Sequence, residues 1–261
     1  MPHDDHRFST AHGVSAFGTL AMEVVSVLNA RQAAVQVNQA RPYIRSILDR
    51  RLMTKAYFNP SDALSELRAL RLSDAAIIDN YIPEAARSIG QKWAQDELGF
   101  ADVTIASVRL QSLLTEVEFL NPDDHLPAER TLDILIVACE GEQHTLGCFV
   151  AAAQLRRRGA TVETMCGQPE DVIRSRILRN DYDAILFSCS RRRHLETISG
   201  IVIDIRSRMS EPPLFAIGGI ILSKTRGIKR LTGADLVTSD VDVVVEQCEQ
   251  RPKPVPKWDP R

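Results

Sequence analysis

The 261-residue chain is short of several things, and each shortage excludes a class of protein. It has no uninterrupted apolar run long enough to span a bilayer, so no membrane helix is expected. Its first ten residues, MPHDDHRFST, carry acidic groups and no apolar core, which excludes a secretory leader there. The formal charge of -2 leaves no basic excess of the kind a nucleic-acid-binding surface shows. The five cysteines (139, 148, 166, 189 and 248) are odd in number and scattered, and no CxxC occurs. They read as reduced thiols, not as a disulfide frame or a zinc site, and they place the protein in the cytoplasm. No Gly-x-Gly-x-x-Gly and no P-loop is present, so a nucleotide cofactor is not expected. There is no internal repeat.

What is present divides the chain. Residues 1–15 are polar and carry His3, His6 and His12, a pattern expected of a disordered tail. Residues 16–120 read as helical. Leu20, Val24, Val27 and Leu28 open an N-terminal extension to about Arg50 that either begins the helical domain or contacts a partner. Helix starts are expected at Asn59-Pro60-Ser61 and at Ser73. Pro83 falls inside or at the start of a continuation to Trp93, and a last helix runs from Gly99 to Leu120. That helix carries Val103, Ile105, Val108, Leu110, Leu113 and Leu114, and Trp93 is expected in the core of the bundle. Residues 121–130, NPDDHLPAER, form a linker.

From 131 to 250 short apolar runs alternate with helical segments. Strands are expected at 132–139, 160–165, 183–188, 213–217 and 235–238. Helices are expected at about 145–158, 169–179, 194–208, 224–231 and 240–249. Five βα units joined by short links imply a doubly wound parallel sheet behind an N-terminal helical bundle, an α + α/β architecture. The proline-rich 251–261 closes the chain as a second unstructured tail.

In open sheets of this kind ligands bind beyond the carboxyl ends of the strands. The loop leaving the first strand there reads Glu140-Gly141-Glu142-Gln143-His144-Thr145-Leu146-Gly147. Glu142 is two residues from His144, close enough to accept one ring N–H and orient the imidazole. Gly147 leaves room for close approach by a ligand or a neighbouring backbone. Ser188 and Ser190 follow the third strand, and Gly218-Gly219 follow the fourth. His194 is a further candidate partner of Glu142. Cys139, Cys148 and Cys189 also fall near this edge and read as packing residues, with a redox role as the alternative.

Glu142-Gln143-His144-Thr145-Leu146-Gly147 resembles the D-x-H-x-x-G motif of cobalamin-binding domains, with Glu in place of Asp. Ser188, the Gly218-Gly219 pair and Gly233-Ala234-Asp235 match further elements of that family in order. Gly90-Gln91-Lys92-Trp93 resembles the G-x-x-W of the helical cap preceding such domains. The resemblance covers residues 60–245 and is nearest to the AerR/PpaA antirepressors, without a catalytic module. It implies a bound cobalamin, in a hydroxo or adenosyl form, with His144 as the lower cobalt ligand and Glu142 behind it. The cofactor's nucleotide tail would then pass Gly147, Ser188 and Ser190 and lie over Gly218-Gly219, with Trp93 on the upper side. It also implies a light- or redox-responsive, non-enzymatic regulator acting through a DNA-binding repressor of the CrtJ/PpsR type.

Two positions depart from the pattern. An acidic residue and a histidine follow the tryptophan in adenosylcobalamin photoreceptors, where this chain has Asp102-Val103-Thr104. The loop after the third strand carries Arg191-Arg192-Arg193, which suits a tail phosphate, the propionates of haem, or solvent. A corrinoid carrier for methyl transfer and a haem sensor on the same scaffold are the alternatives.

Overall fold

The structure, a computed structural model, describes residues 42–120 and 131–251. The expected tails, the linker and most of the N-terminal extension lie outside them. The chain divides into two compact units, Met1–Arg50 and Arg51–Arg261. The described part of the first, residues 42–50, is helical. All that follows concerns the second.

Helix α1 (Pro60–Ala69) begins as its sequence demands: Asn59 accepts a hydrogen bond from the Ser61 backbone N–H, and Pro60 supplies the fixed φ of a first turn. Ser73 caps the next segment by accepting from Ala76 N. That segment starts as α2 (Asp74–Ala76), passes through a π-helical turn at Ile77–Tyr81, and continues as α3 (Ile82–Ala94). Pro83 accounts for the widened turn. It has no N–H to give Asp79, and its ring crowds the Asp79 carbonyl, so the register opens and Ile82 N bonds to Ile77 O.

Helix α4 (Phe100–Leu120) buries Ala106, Leu110, Leu113, Leu114 and Val117, one stripe at helical spacing. Ile105 and Val108 lie off the stripe and are exposed at 49% and 55%.

Five parallel strands follow: β1 (Asp133–Cys139), β2 (Thr161–Gln168), β3 (Ala184–Ser188), β4 (Leu214–Gly218) and β5 (Leu236–Val237). Their order is β2-β1-β3-β4-β5. Between them run α5 (Leu146–Arg157), α6 (Glu170–Arg179) and α7 (His194–Arg208). The expected helix at 224–231 is instead two short pieces, α8 (Ile221–Lys224) and α9 (Ile228–Thr232), because Thr225 is extended and Gly227 takes a left-handed φ of 70°. Helix α10 (Val241–Glu249) follows β5.

Alternate residues of the strands serve opposite faces. Leu135, Val137, Ile185, Phe187, Phe215 and Ile217 pack with α6 and α7. Ile134, Ile136, Ala184, Leu186, Leu214 and Ala216 pack with α5 and α10. The sheet is therefore covered on both sides, which explains why β1, β3 and β4 are near-continuous apolar runs.

The strand order places the site. From β1 the chain crosses to β2 on one side and then returns to β3 on the other. The loops leaving β1 and β3 thus part in opposite directions and open a crevice between them, the position where doubly wound sheets bind ligands.

Helix α5, which starts in that crevice, is tied at its far end to the helical part. Arg156 pairs with Glu118 of α4 at 2.9 Å, and Arg157 pairs with Asp79 of the π turn at 2.8 Å.

Candidate functional site

The crevice is built around a buried carboxylate. A tight turn brings Glu142 N within 3.0 Å of Cys139 O, with Gly141 at a φ of 77° that a side chain would strain. The turn aims Glu142 inward, where its side chain is 1% exposed.

Donors surround this carboxylate. Oε1 accepts from His144 N at 2.9 Å and His144 Nδ1 at 3.0 Å. Oε2 accepts from Ser190 N at 2.9 Å and His194 Nδ1 at 3.3 Å, and Ser190 Oγ lies 2.7 Å from both oxygens. Burial alone would raise the Glu142 pKa; the hydrogen bonds from His144 and Ser190 outweigh it and hold the group down at about 2. Glu142 is therefore ionised at neutral pH and can only accept.

That requirement assigns the tautomer of His144. The nitrogen facing the carboxylate carries the proton, and Nε2 presents its lone pair on a ring that is 44% exposed. His194 is held in the same way from the other side. It is 5% exposed, its Nδ1 faces Glu142, and its Nε2 accepts from Arg193 Nε at 3.3 Å. One glutamate thus bridges two imidazoles, one facing outward and one sealed in.

Gly147, Ser188 and Ser190 occupy the same crevice. A Cβ on Gly147 would stand 3.9 Å from Ser188 Oγ, in ordinary contact, so the chain's own packing does not require a glycine there. The glycines after β4 do answer such a demand. A Cβ at Gly219, whose φ is 95°, would lie 2.6 Å from Cys189 O, and one at Gly218 would lie 3.0 Å from Thr238 O. The chain itself needs both glycines to pass its own backbone, whatever lies over them.

Trp93 takes no part in the carboxylate network. It stands near the end of α3 and is 45% exposed, so the expectation of a core residue is corrected. From the helical part, Gln111 Nε2 reaches Thr145 Oγ1, next to His144, at 3.5 Å. Arg191, Arg192 and Arg193 are exposed at the start of α7.

Sequence reasoning did not anticipate Gln111, and it placed Ser190 beside a cofactor's tail without foreseeing its bonds to Glu142. The second could have been inferred from the parallel β1–β3 pairing, which sets the two loops side by side. Nothing local marks the first. Among the described residues no cluster of three or more His, Cys, Asp or Glu side chains is arranged to hold a metal ion, and no helix is long and apolar enough to cross a membrane.

No family model matches the chain. Among solved structures, the monomethylamine corrinoid protein of Methanosarcina barkeri superposes with a TM-score of 0.65 at 13% identity, over 80% of this chain and 99% of that one. That likeness establishes the fold. A relative in Rhodobacter capsulatus, described as an uncharacterized 20.5 kDa protein in the bchF-crtJ intergenic region, is 35% identical over 182 residues, 70% of this chain and 95% of the relative. With that identity across nearly the whole of the relative, the chain belongs to the same family as the Rhodobacter capsulatus protein.

Proposed function

We propose that the protein binds a corrinoid, with His144 Nε2 as the lower cobalt ligand, and acts as a non-enzymatic sensor that relieves a DNA-binding repressor. The observation that carries the binding is the orientation of His144: proton on Nδ1 toward an ionised, buried Glu142, lone pair on Nε2 toward the crevice. A borderline transition metal accepts such a nitrogen, and the carboxylate behind it raises its basicity.

The donor set fits a macrocycle better than a free cation. Among the described residues no three His, Cys, Asp or Glu side chains are arranged to hold an ion, so an outward imidazole suits a metal that arrives already held by a macrocycle. When bound, the corrinoid supplies a cobalt whose upper ligand can be exchanged. The protein's own residues then hold and report. Glu142, Ser190 and His194 keep the imidazole from turning. Gly147 and Ser188 flank the path of a narrow tail beside α5. Gln111 and the Arg156 and Arg157 ion pairs join the crevice to the helical part, whose packing would carry the ligand state to a partner.

The regulatory half rests on the relative, which is named for the bchF-crtJ intergenic region, and crtJ is a name shared with the repressor type expected from the sequence. The photosystem-gene repressor is accordingly the proposed partner. Light, acting on an alkyl upper ligand, or redox state is the proposed signal.

The corrinoid-carrier reading uses the same crevice and is supported by the same fold. The haem reading draws on the exposed arginines 191–193 as propionate partners. Visible absorption after mixing with hydroxocobalamin, adenosylcobalamin and haemin in turn separates these. A corrinoid spectrum that changes on binding and is lost in His144→Ala is expected. A Soret band alone would replace corrinoid with haem, and no band with any of the three would end the cofactor reading. Capture of the repressor by the loaded protein, in light and dark, then distinguishes a sensor from a carrier.

A further inference from the structure

Two thiols beside the crevice are not used by the proposed cofactor site. Cys148 stands in the first turn of α5, fully buried, and Cys166 stands on β2, opposite Ala138 of β1. They come from different elements of the sheet face that packs α5, where Cys166 borders the core containing Cys148. The two thiols lie close enough to shift each other's ionisation, and Ser188 acts on Cys148 as well.

The two thiols are unlike. Cys166 is half-buried on the edge strand of the sheet, open to a small molecule from the free side. Cys148 is closed to solvent and reachable only by the thiol beside it. An accessible attacking thiol backed by a sealed second thiol is the arrangement that converts a mixed disulfide into an internal one.

We propose that Cys148 and Cys166 form a reversible intramolecular disulfide, made by exchange with a small-molecule disulfide that enters at Cys166. The Cys166 thiolate attacks one sulfur of the incoming disulfide, forms a mixed disulfide and releases the first small thiol. Cys148 then loses its proton and attacks Cys166 Sγ, which expels the second. The protein pair is oxidised by two electrons, the incoming disulfide is reduced by two, and the two thiol protons leave on the two released molecules. Closure brings the two sulfurs to about 2 Å. The direction of the Cys166 pKa agrees with attack from that side: its interaction with Cys148 lowers it, more than burial raises it. Cys148 is shifted the other way, raised by its interaction with Cys166 and by burial, so it keeps its proton while Cys166 attacks first and gives it up only to close the bridge. Cys139 and Cys189, the other two thiols at this end of the sheet, are also raised by burial, and neither has a partner thiol that lowers it. The bond would tie the first turn of α5, four residues past His144, to β2, and would take from Ser188 the thiol it now acts on.

The test uses the full-length protein without added cofactor, treated with oxidised glutathione and then alkylated. Mass spectrometry is expected to show two thiols lost per chain and one cross-linked peptide pair containing Cys148 and Cys166, reversed by dithiothreitol. Cys148→Ala should stall as a glutathione adduct on Cys166, and Cys166→Ser should form neither adduct nor bridge. Circular dichroism of each variant before treatment confirms folding. A stable adduct on Cys166 in the unmodified chain, a bridge between Cys139 and Cys189, or full retention of free thiols would each overturn the proposal.

Discussion

Replacing Glu142 by Gln keeps the shape of the side chain and removes its charge, so it isolates what the buried carboxylate does. The native group meets only donors: two from His144, two from Ser190 and one from His194. An amide places an NH2 where one oxygen stood, so at least one of those donors then faces a donor. Lowering a carboxyl pKa from 4.5 to about 2 corresponds to roughly 3 kcal/mol of folding stability. The sign follows from the direction. A depressed folded-state pKa contributes fully above 4.5 and is lost as pH falls toward 2. Urea unfolding followed by circular dichroism should therefore find Glu142→Gln about 3 kcal/mol less stable at pH 7. By pH 3 the difference should have shrunk by more than half, since the native protein is by then losing the same contribution. Equal stability at pH 7, or a difference that does not change with pH, would refute the account of a carboxylate held ionised by its donors.

Further outcomes follow from the same geometry. His144→Ala should unfold within about 1 kcal/mol of the native chain, because the ring is half-exposed, while abolishing the corrinoid spectrum; titration and unfolding on one preparation check both. His194→Leu removes a donor to Glu142 and should weaken corrinoid binding on the order of tenfold, whereas His194→Asn, which retains a donor near Nδ1, should recover most of it; equal loss in both would assign His194 to packing. Gly219→Ala forces a Cβ onto Cys189 O at a left-handed φ and should cost about 3 kcal/mol, read as a lowered melting temperature without any ligand.

Much of this was legible from residue order alone, for reasons that can be named. Helix starts at Asn59 and Ser73 follow from side chains that bond their own local backbone. The strands β1, β3 and β4 announce themselves because burial on both faces leaves no polar alternation. Glu142 and His144 could be paired because two residues in one turn meet whatever the rest of the chain does.

Where reading failed, the deciding contact was distant. Trp93 was placed inside, yet it is 45% exposed, since helical spacing names several apolar faces and only the neighbours choose between them, as they do at Ile105 and Val108. At Gly218 and Gly219, expected under a ligand's tail, the close backbones of Thr238 and Cys189 set a demand of their own that no local pattern announces.

The sequence by itself determined the strand–helix alternation and the turn that brings Glu142 to His144. These rest on local hydrogen bonds and on the periodicity of apolar side chains. Only the tertiary structure decided that Ser190 and His194, 48 and 52 residues from Glu142, share its carboxylate, and that Cys148 meets Cys166. Those meetings depend on which strand lies beside β1, a choice made by the packing of both sheet faces at once.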